Sequence, residues 1–161
     1  MLSTDKTIIS YGDPIMAPSL IPVDHVASPA CVSIPFLVDG KFYEVTAMSF
    51  GTPHGAIFVD DLDTTDVTAL GPLLGKHSFF PIGASIVFIQ VVDKWIIKAR
   101  LWQLDEGEKP FTHEAVCVAG TAAMACQKVS GNDVTIFMGG EAFSVSWNRS
   151  GGEVTLAEQK H

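Results

Sequence analysis

Between Ala115 and Cys126 the chain carries almost no strongly polar side chain: alanines dominate, Met124 and the cysteines lie among them, and β-formers become scarce after Val118. Such sequence favours helix, and the helical reading extends over Ala115 to Val129. A helix that is apolar all round has no face to offer water, so it must be enclosed. Strand-like sequence stands on both sides of it. The expected architecture is therefore α+β: a curled antiparallel β-sheet, barrel-like, wrapped around one central apolar helix.

The strands are read from pattern and turns. Cys31 to Val38 and Lys41 to Phe50 flank Asp39-Gly40, a two-residue sequence that favours a hairpin turn, and Tyr43, Val45 and Ala47 alternate with more polar neighbours. Ala56 to Asp60 reads as a third strand. Thr64 or Thr65 as N-cap, with Asp66 in the first turn, starts a short helix that Gly75 ends. Ala84 to Val92 and Trp95 to Gln103 form a second hairpin across Asp93-Lys94. Val134 to Phe137 follows the apolar helix, and Phe143 to Trp147 pairs with Val154 to Leu156 across Ser150-Gly151-Gly152. The Pro-rich opening from Pro14 to Pro29 reads as an ordered, irregular lead-in, without repeats or low complexity.

Composition bounds the partners. With 161 residues, 47% apolar and 17% charged, the chain is expected to form one domain over 1–161 with a proper core. So apolar a composition favours burial of some surface against another subunit, as a homodimer or in a complex with a second lobe. The net charge of −8, with no run of Lys and Arg, argues against nucleic acid. The opening residues lack the cationic and apolar segments of a leader, and no apolar run is long enough to span a bilayer, so no membrane partner and a cytoplasmic location are expected. Cys31, Cys117 and Cys126, odd in number and without Cys-x-x-Cys spacing, suit free thiols better than a disulfide or zinc framework.

One stretch carries more than fold. Gly51-Thr52-Pro53-His54-Gly55-Ala56-Ile57-Phe58-Val59-Asp60-Asp61-Leu62 sets a Gly-x-Pro-His turn before an apolar run and paired acids. Around it, in order, stand Tyr11-Gly12-Asp13-Pro14, Leu70-Gly71-Pro72-Leu73, Phe79-Phe80-Pro81-Ile82-Gly83, Ala99-Arg100-Leu101-Trp102 and Gly139-Gly140-Glu141-Ala142-Phe143. Together they resemble the second lobe of the diaminopimelate epimerase family, over nearly the whole chain. The resemblance implies a single such lobe and a cleft completed by another. It also implies cofactor-free proton exchange at a carbon beside a carboxylate, each lobe supplying one cysteine. The first lobe's Cys-Gly-Asn-Gly segment has no counterpart here.

Carried over residue by residue, the resemblance implies His54 and Cys117 as catalytic residues, with Thr52, Ala84, Gly120 and Thr121 at substrate-binding positions. Thr52 and Ala84 stand where the family has asparagines, and Gln103-Leu104 replaces a Glu-Arg pair, removing a guanidinium that would grip a carboxylate. Two registers are open. Alignment on cysteine puts Cys117 in the acid/base role; alignment on Gly120-Thr121 preserves an anion-holding turn and puts Ala119 where the thiol belongs. If Thr121 is the N-cap, the amides after it form an anion pocket.

Plainer roles stand beside these. Cys117, Cys31 and Cys126 suit core packing, and His54 suits a histidine that orients its own turn by a backbone hydrogen bond. His77 and His113 read as solvated loop or helix-end residues, Asp60-Asp61 as a strand terminus and turn, and Asp105-Glu106-Gly107-Glu108 as a solvated loop.

Three functions are compatible with this reading. The first is a cofactor-independent isomerase or epimerase acting on a small molecule, other than diaminopimelate itself, in a cleft shared by two half-size lobes. The second is a cyclase or rearrangement catalyst of a specialised biosynthetic pathway, using the same cleft without a thiol. The third is a non-catalytic binding protein derived from the enzyme fold.

Overall fold

The computed structural model describes residues 8–149 and 152–159. The sequence reading of residues 1–7 and of the turn at Ser150-Gly151 lies outside that range. Among the described residues, ten strands and two α-helices follow one another as β1 (Ile8–Ser10), β2 (Ile34–Val38), β3 (Lys41–Ser49), β4 (Pro53–Phe58), α1 (Val67–Gly75), β5 (Ser85–Val91), β6 (Ile96–Gln103), β7 (Gly107–Lys109), α2 (His113–Ala125), β8 (Asp133–Met138), β9 (Glu141–Trp147) and β10 (Val154–Gln159). A short 3-10 turn at Leu62–Thr64, capped by the Asp61 side chain, precedes α1.

The strands form one curled sheet in the order β1-β10-β9-β8-β6-β5-β4-β3-β2, with β7 paired to β6. Helix α2 lies against its concave face, and every residue from Ala115 to Met124 is buried. The architecture is α+β, a sheet curled around an apolar helix, with two refinements to the expected antiparallel barrel. Strands β4 and β5 pair in parallel, as do β6 and β8. Each parallel join spans a helix, because a chain that leaves a strand's end through a helix returns to that strand's starting side. The sheet also stays open, ending in β1 on one side and β2 on the other.

A second helix covers the opposite face. Around α1 and the Pro-rich lead-in, Ile21, Cys31, Phe36, Val45, Ile57, Phe88 and Trp102 make a second core. Strand β5 is therefore buried on both sides: Val87 and Ile89 face α2, while Ile86 and Phe88 face α1. This explains why that stretch is a continuous apolar run rather than an alternating one. At the β2–β3 turn, Asp39 and Gly40 take φ of 51° and 79°, the pair of positive values a tight hairpin turn requires.

Helix starts differ from the sequence reading. The cap of α1 is Asp66, whose carboxylate accepts from the Ala69 N–H, and that of α2 is Thr112, whose hydroxyl accepts from the Ala115 N–H. Thr121, considered as an N-cap, lies instead deep within α2, fully buried. The acidic run is not simply a loop either. Glu108 sits in β7 and takes a two-pronged hydrogen bond from Arg100, Nε at 2.8 Å and Nη2 at 2.9 Å. His77 is likewise tied down, with Nε2 2.9 Å from the Leu37 carbonyl and Nδ1 accepting from the Phe79 N–H.

Candidate active site at the start of the central helix

The turn Gly51-Thr52 that opens β4 meets the first turn of α2. Thr52 donates its N–H to Glu114 Oε2 at 2.9 Å, and its hydroxyl lies 3.1 and 3.2 Å from the two carboxylate oxygens. Glu114 is the second residue of α2, where the unpaired N–H groups of a helix start favour a negative charge. Gly51 suits this turn through its backbone: its φ of 145° favours glycine, whereas a Cβ there would stand 3.9 Å from Glu114 Oε2, an ordinary contact.

His54 sits beneath this contact, 3% exposed. Its Nδ1 is 3.0 Å from the Thr52 carbonyl and 3.7 Å from Glu114 Oε2. A carbonyl can only accept, so Nδ1 carries the proton in the neutral ring and Nε2 is left with its lone pair. Burial holds the His54 pKa below its ordinary value, against the opposing pull of the Thr52 carbonyl and Glu114. The ring is neutral at pH 7.

Cys117 lies three residues beyond Glu114, inside the core. Burial, with Glu114 adding to it, pushes its thiol up to about 12. It is a protonated thiol at neutral pH. Tyr11, which follows β1 and stacks edge-on against Phe50, completes the group; burial raises its phenol, and Cys117 and Glu114 raise it further. The member of the cluster that reaches solvent is Glu114, whose side chain is 23% exposed.

Of the residues singled out in the sequence, Thr52, His54 and Cys117 converge here. Ala84, Gly120 and Thr121 do not. Ala84 is buried in the second core, with its N–H bonded to the Gly75 carbonyl. Gly120 faces Val145 and lies, like Thr121, inside α2, so neither amide is left free to hold an anion. The Thr121 hydroxyl is buried without a hydrogen-bond partner. Two members of the cluster escaped the sequence reading, Glu114 and Tyr11. Thr112-His113-Glu114, a capping residue followed by an acid in the first turn, was the available signal for the former.

A groove of about 800 Å³ lies elsewhere, where β3 and β4 diverge, lined by Lys41, Tyr43, Thr46, Phe58, Asp66 and Lys128. Thr46 Oγ1 is 3.1 Å from Cys126 Sγ at the C-terminal end of α2, so this groove and the Glu114 cluster occupy opposite ends of the helix. Lys41 and Lys128 lie over the rings of Tyr43 and Phe58. Among the described residues, no group of three His, Cys, Asp or Glu side chains is placed to hold a metal ion, and no helix is long and apolar enough to cross a membrane.

The fold is that of the epimerases and racemases. A hydroxyproline epimerase from Agrobacterium vitis, solved with bound trans-4-hydroxy-L-proline, superposes with a TM-score of 0.68 at 12% identity, over 96% of this chain and 50% of that one. A probable proline racemase from Agrobacterium radiobacter, solved with bound carbonate, gives 0.59 at 9% identity, over 99% of this chain and 59% of the other.

Sequence narrows this class. The family model for diaminopimelate epimerase matches residues 46–160. Diaminopimelate epimerase of Geobacillus sp. (strain WCH70) is 34% identical over 89% of this chain and 51% of its own length; that of Pseudomonas entomophila is 34% identical over 94% and 54%. The chain belongs to the diaminopimelate epimerase family. It spans about half the length of the curated relatives it matches.

Proposed function

We propose that this chain is one lobe of a cofactor-independent isomerase of the epimerase type. Its small-molecule substrate binds against the start of α2, in a cleft whose other wall is a second lobe, either another copy or a different chain. The observation that carries this reading is the convergence of Thr52, His54 and Glu114 there, with Cys117 one turn further in. Exchange of a proton at a carbon beside a carboxylate needs a group on each side of that carbon, one accepting and one donating. On this side the Glu114 carboxylate is within reach of solvent, whereas the Cys117 thiol is covered.

Diaminopimelate itself fits this wall poorly. Its carboxylates call for cationic partners, and both arginines of the chain are engaged elsewhere: Arg100 with Glu108 and the carbonyls of Leu62 and Thr65, Arg149 with the Val129 carbonyl. The protonated thiol favours a second reading too, in which the cleft catalyses a cyclisation or rearrangement with a carboxylate instead of a thiol as acid/base group.

Incubation with a panel of amino and hydroxy acids in heavy water, followed by proton NMR, tests the first reading. Loss of the Cα–H signal is expected for at least one acid, and its absence in Glu114→Gln. Sedimentation of the same sample reports the second lobe. A chain that stays monomeric at every concentration and exchanges no acid would refute the shared cleft.

A further inference from the structure

The start of α2 offers what an anion wants: a helix N-terminus, a backbone N–H and a hydroxyl, both from Thr52. Yet the anion found there belongs to the chain itself. The Glu114 carboxylate uses both of its oxygens on Thr52, at 2.9, 3.1 and 3.2 Å. The groups around it bring no compensating charge, since His54 is neutral at pH 7 and Tyr11 and Cys117 hold their protons. Neither arginine is free to turn toward it. A ligand carboxylate arriving here would find both Thr52 donors taken and would meet a like charge.

The geometry points to Glu114 as the specificity-determining residue of this half-site: an internal carboxylate that fills the anion pocket beside Thr52 and restricts the ligand group bound there to an ammonium or another hydrogen-bond donor. The inference rests on the reading of this cluster as a substrate site and adds the class of group that enters it. A substrate carboxylate is left to the opposite wall.

The Thr52 amide reports occupancy directly, without turnover. In 15N-labelled protein titrated with sodium acetate at constant ionic strength, the wild-type Thr52 signal should stay in place. Glu114→Ala should show saturable movement, with apparent affinity at least about tenfold higher, the scale of one hydrogen bond to a charged group. Glu114→Gln should behave like wild type, because its amide oxygen still accepts from Thr52. Equal responses in wild type and Glu114→Ala, whether both bind or neither does, would overturn the proposal. Should Glu114→Ala fail to fold, acid titration decides: the wild-type Thr52 amide must follow a carboxylate titration that is absent from Glu114→Gln, and a wild-type signal that ignores it overturns the proposal. A positive acetate result with no proton exchange would retain the filled pocket and remove the isomerase; the converse would retain the isomerase and remove the role of Glu114.

Discussion

Gly120 in α2 and Val145 in β9 touch so closely that a Cβ on Gly120 would lie 2.7 Å from both Cβ and Cγ1 of Val145. The glycine is there for packing, since its hydrogen lets the helix settle onto the sheet. In an exposed helix Gly→Ala stabilises by about 1 kcal/mol. Here overpacking by roughly 1–3 kcal/mol opposes that gain, so Gly120→Ala should be neutral to destabilising in urea melts. A clear stabilisation by Gly120→Ala alone would contradict the close contact.

The three thiols should react in a fixed order. Cys126 is half-buried at the end of α2, whereas burial raises Cys31 to about 11 and Cys117 to about 12 from an ordinary 9.0. Alkylation with iodoacetamide at pH 8, followed by peptide mass spectrometry, should mark Cys126 first and the other two only as the chain unfolds. The sign of the pH dependence follows. The folded state holds these protons more tightly than the unfolded state, so the stability is complete below pH 9 and falls as pH rises from about 9 toward 12. Cys117→Ala should reduce that slope.

His54 acts at the other end of the scale. Its folded pKa lies below the ordinary 6.5, so below that pH the unfolded chain takes up a proton that the folded chain resists. Stability contributed by the neutral ring is present above about pH 6.5 and declines as pH falls below it. Melting temperatures measured from pH 7.5 to 5 should drop for wild type and drop less for His54→Gln. Parallel curves would show that the ring gains its proton freely in the fold.

Thr52 ties the turn before β4 to α2. Thr52→Ala removes the hydroxyl contacts to Glu114 and leaves the N–H, a loss of about 1 kcal/mol or less given the partial exposure of the carboxylate. Thr52→Ser should keep most of it. Urea unfolding of the pair checks this, and equal losses for both would point to the methyl group rather than the hydroxyl.

Local chemistry was readable where a few neighbouring residues settle the outcome. Asp39-Gly40 makes its turn because those two side chains tolerate positive φ, and the β5–β6 hairpin pairs Val91 with Ile97 around the expected connection. The start of α2 was read late. The apolar pattern begins at Ala115, whereas the backbone turns helical at His113 because the Thr112 hydroxyl satisfies the Ala115 N–H, a bond that apolar periodicity does not register. That shift left Glu114 outside the helix and hid its role. Strand β7 was missed for a related reason: its three residues are polar, and pairing with β6 and the Arg100–Glu108 contact hold them, rather than burial.

By itself, then, the order of residues determined that an apolar helix must be enclosed by strands and which family the lobe resembles, since both depend on patterns carried along the chain. The tertiary structure decided which strands run parallel, and that Tyr11, Thr52, His54, Glu114 and Cys117 share one end of α2. Those residues are far apart along the chain, and the crossovers through α1 and α2 bring them together. Only that packing supplies the burial which pushes the Cys117 thiol up and the His54 imidazole down from their ordinary values.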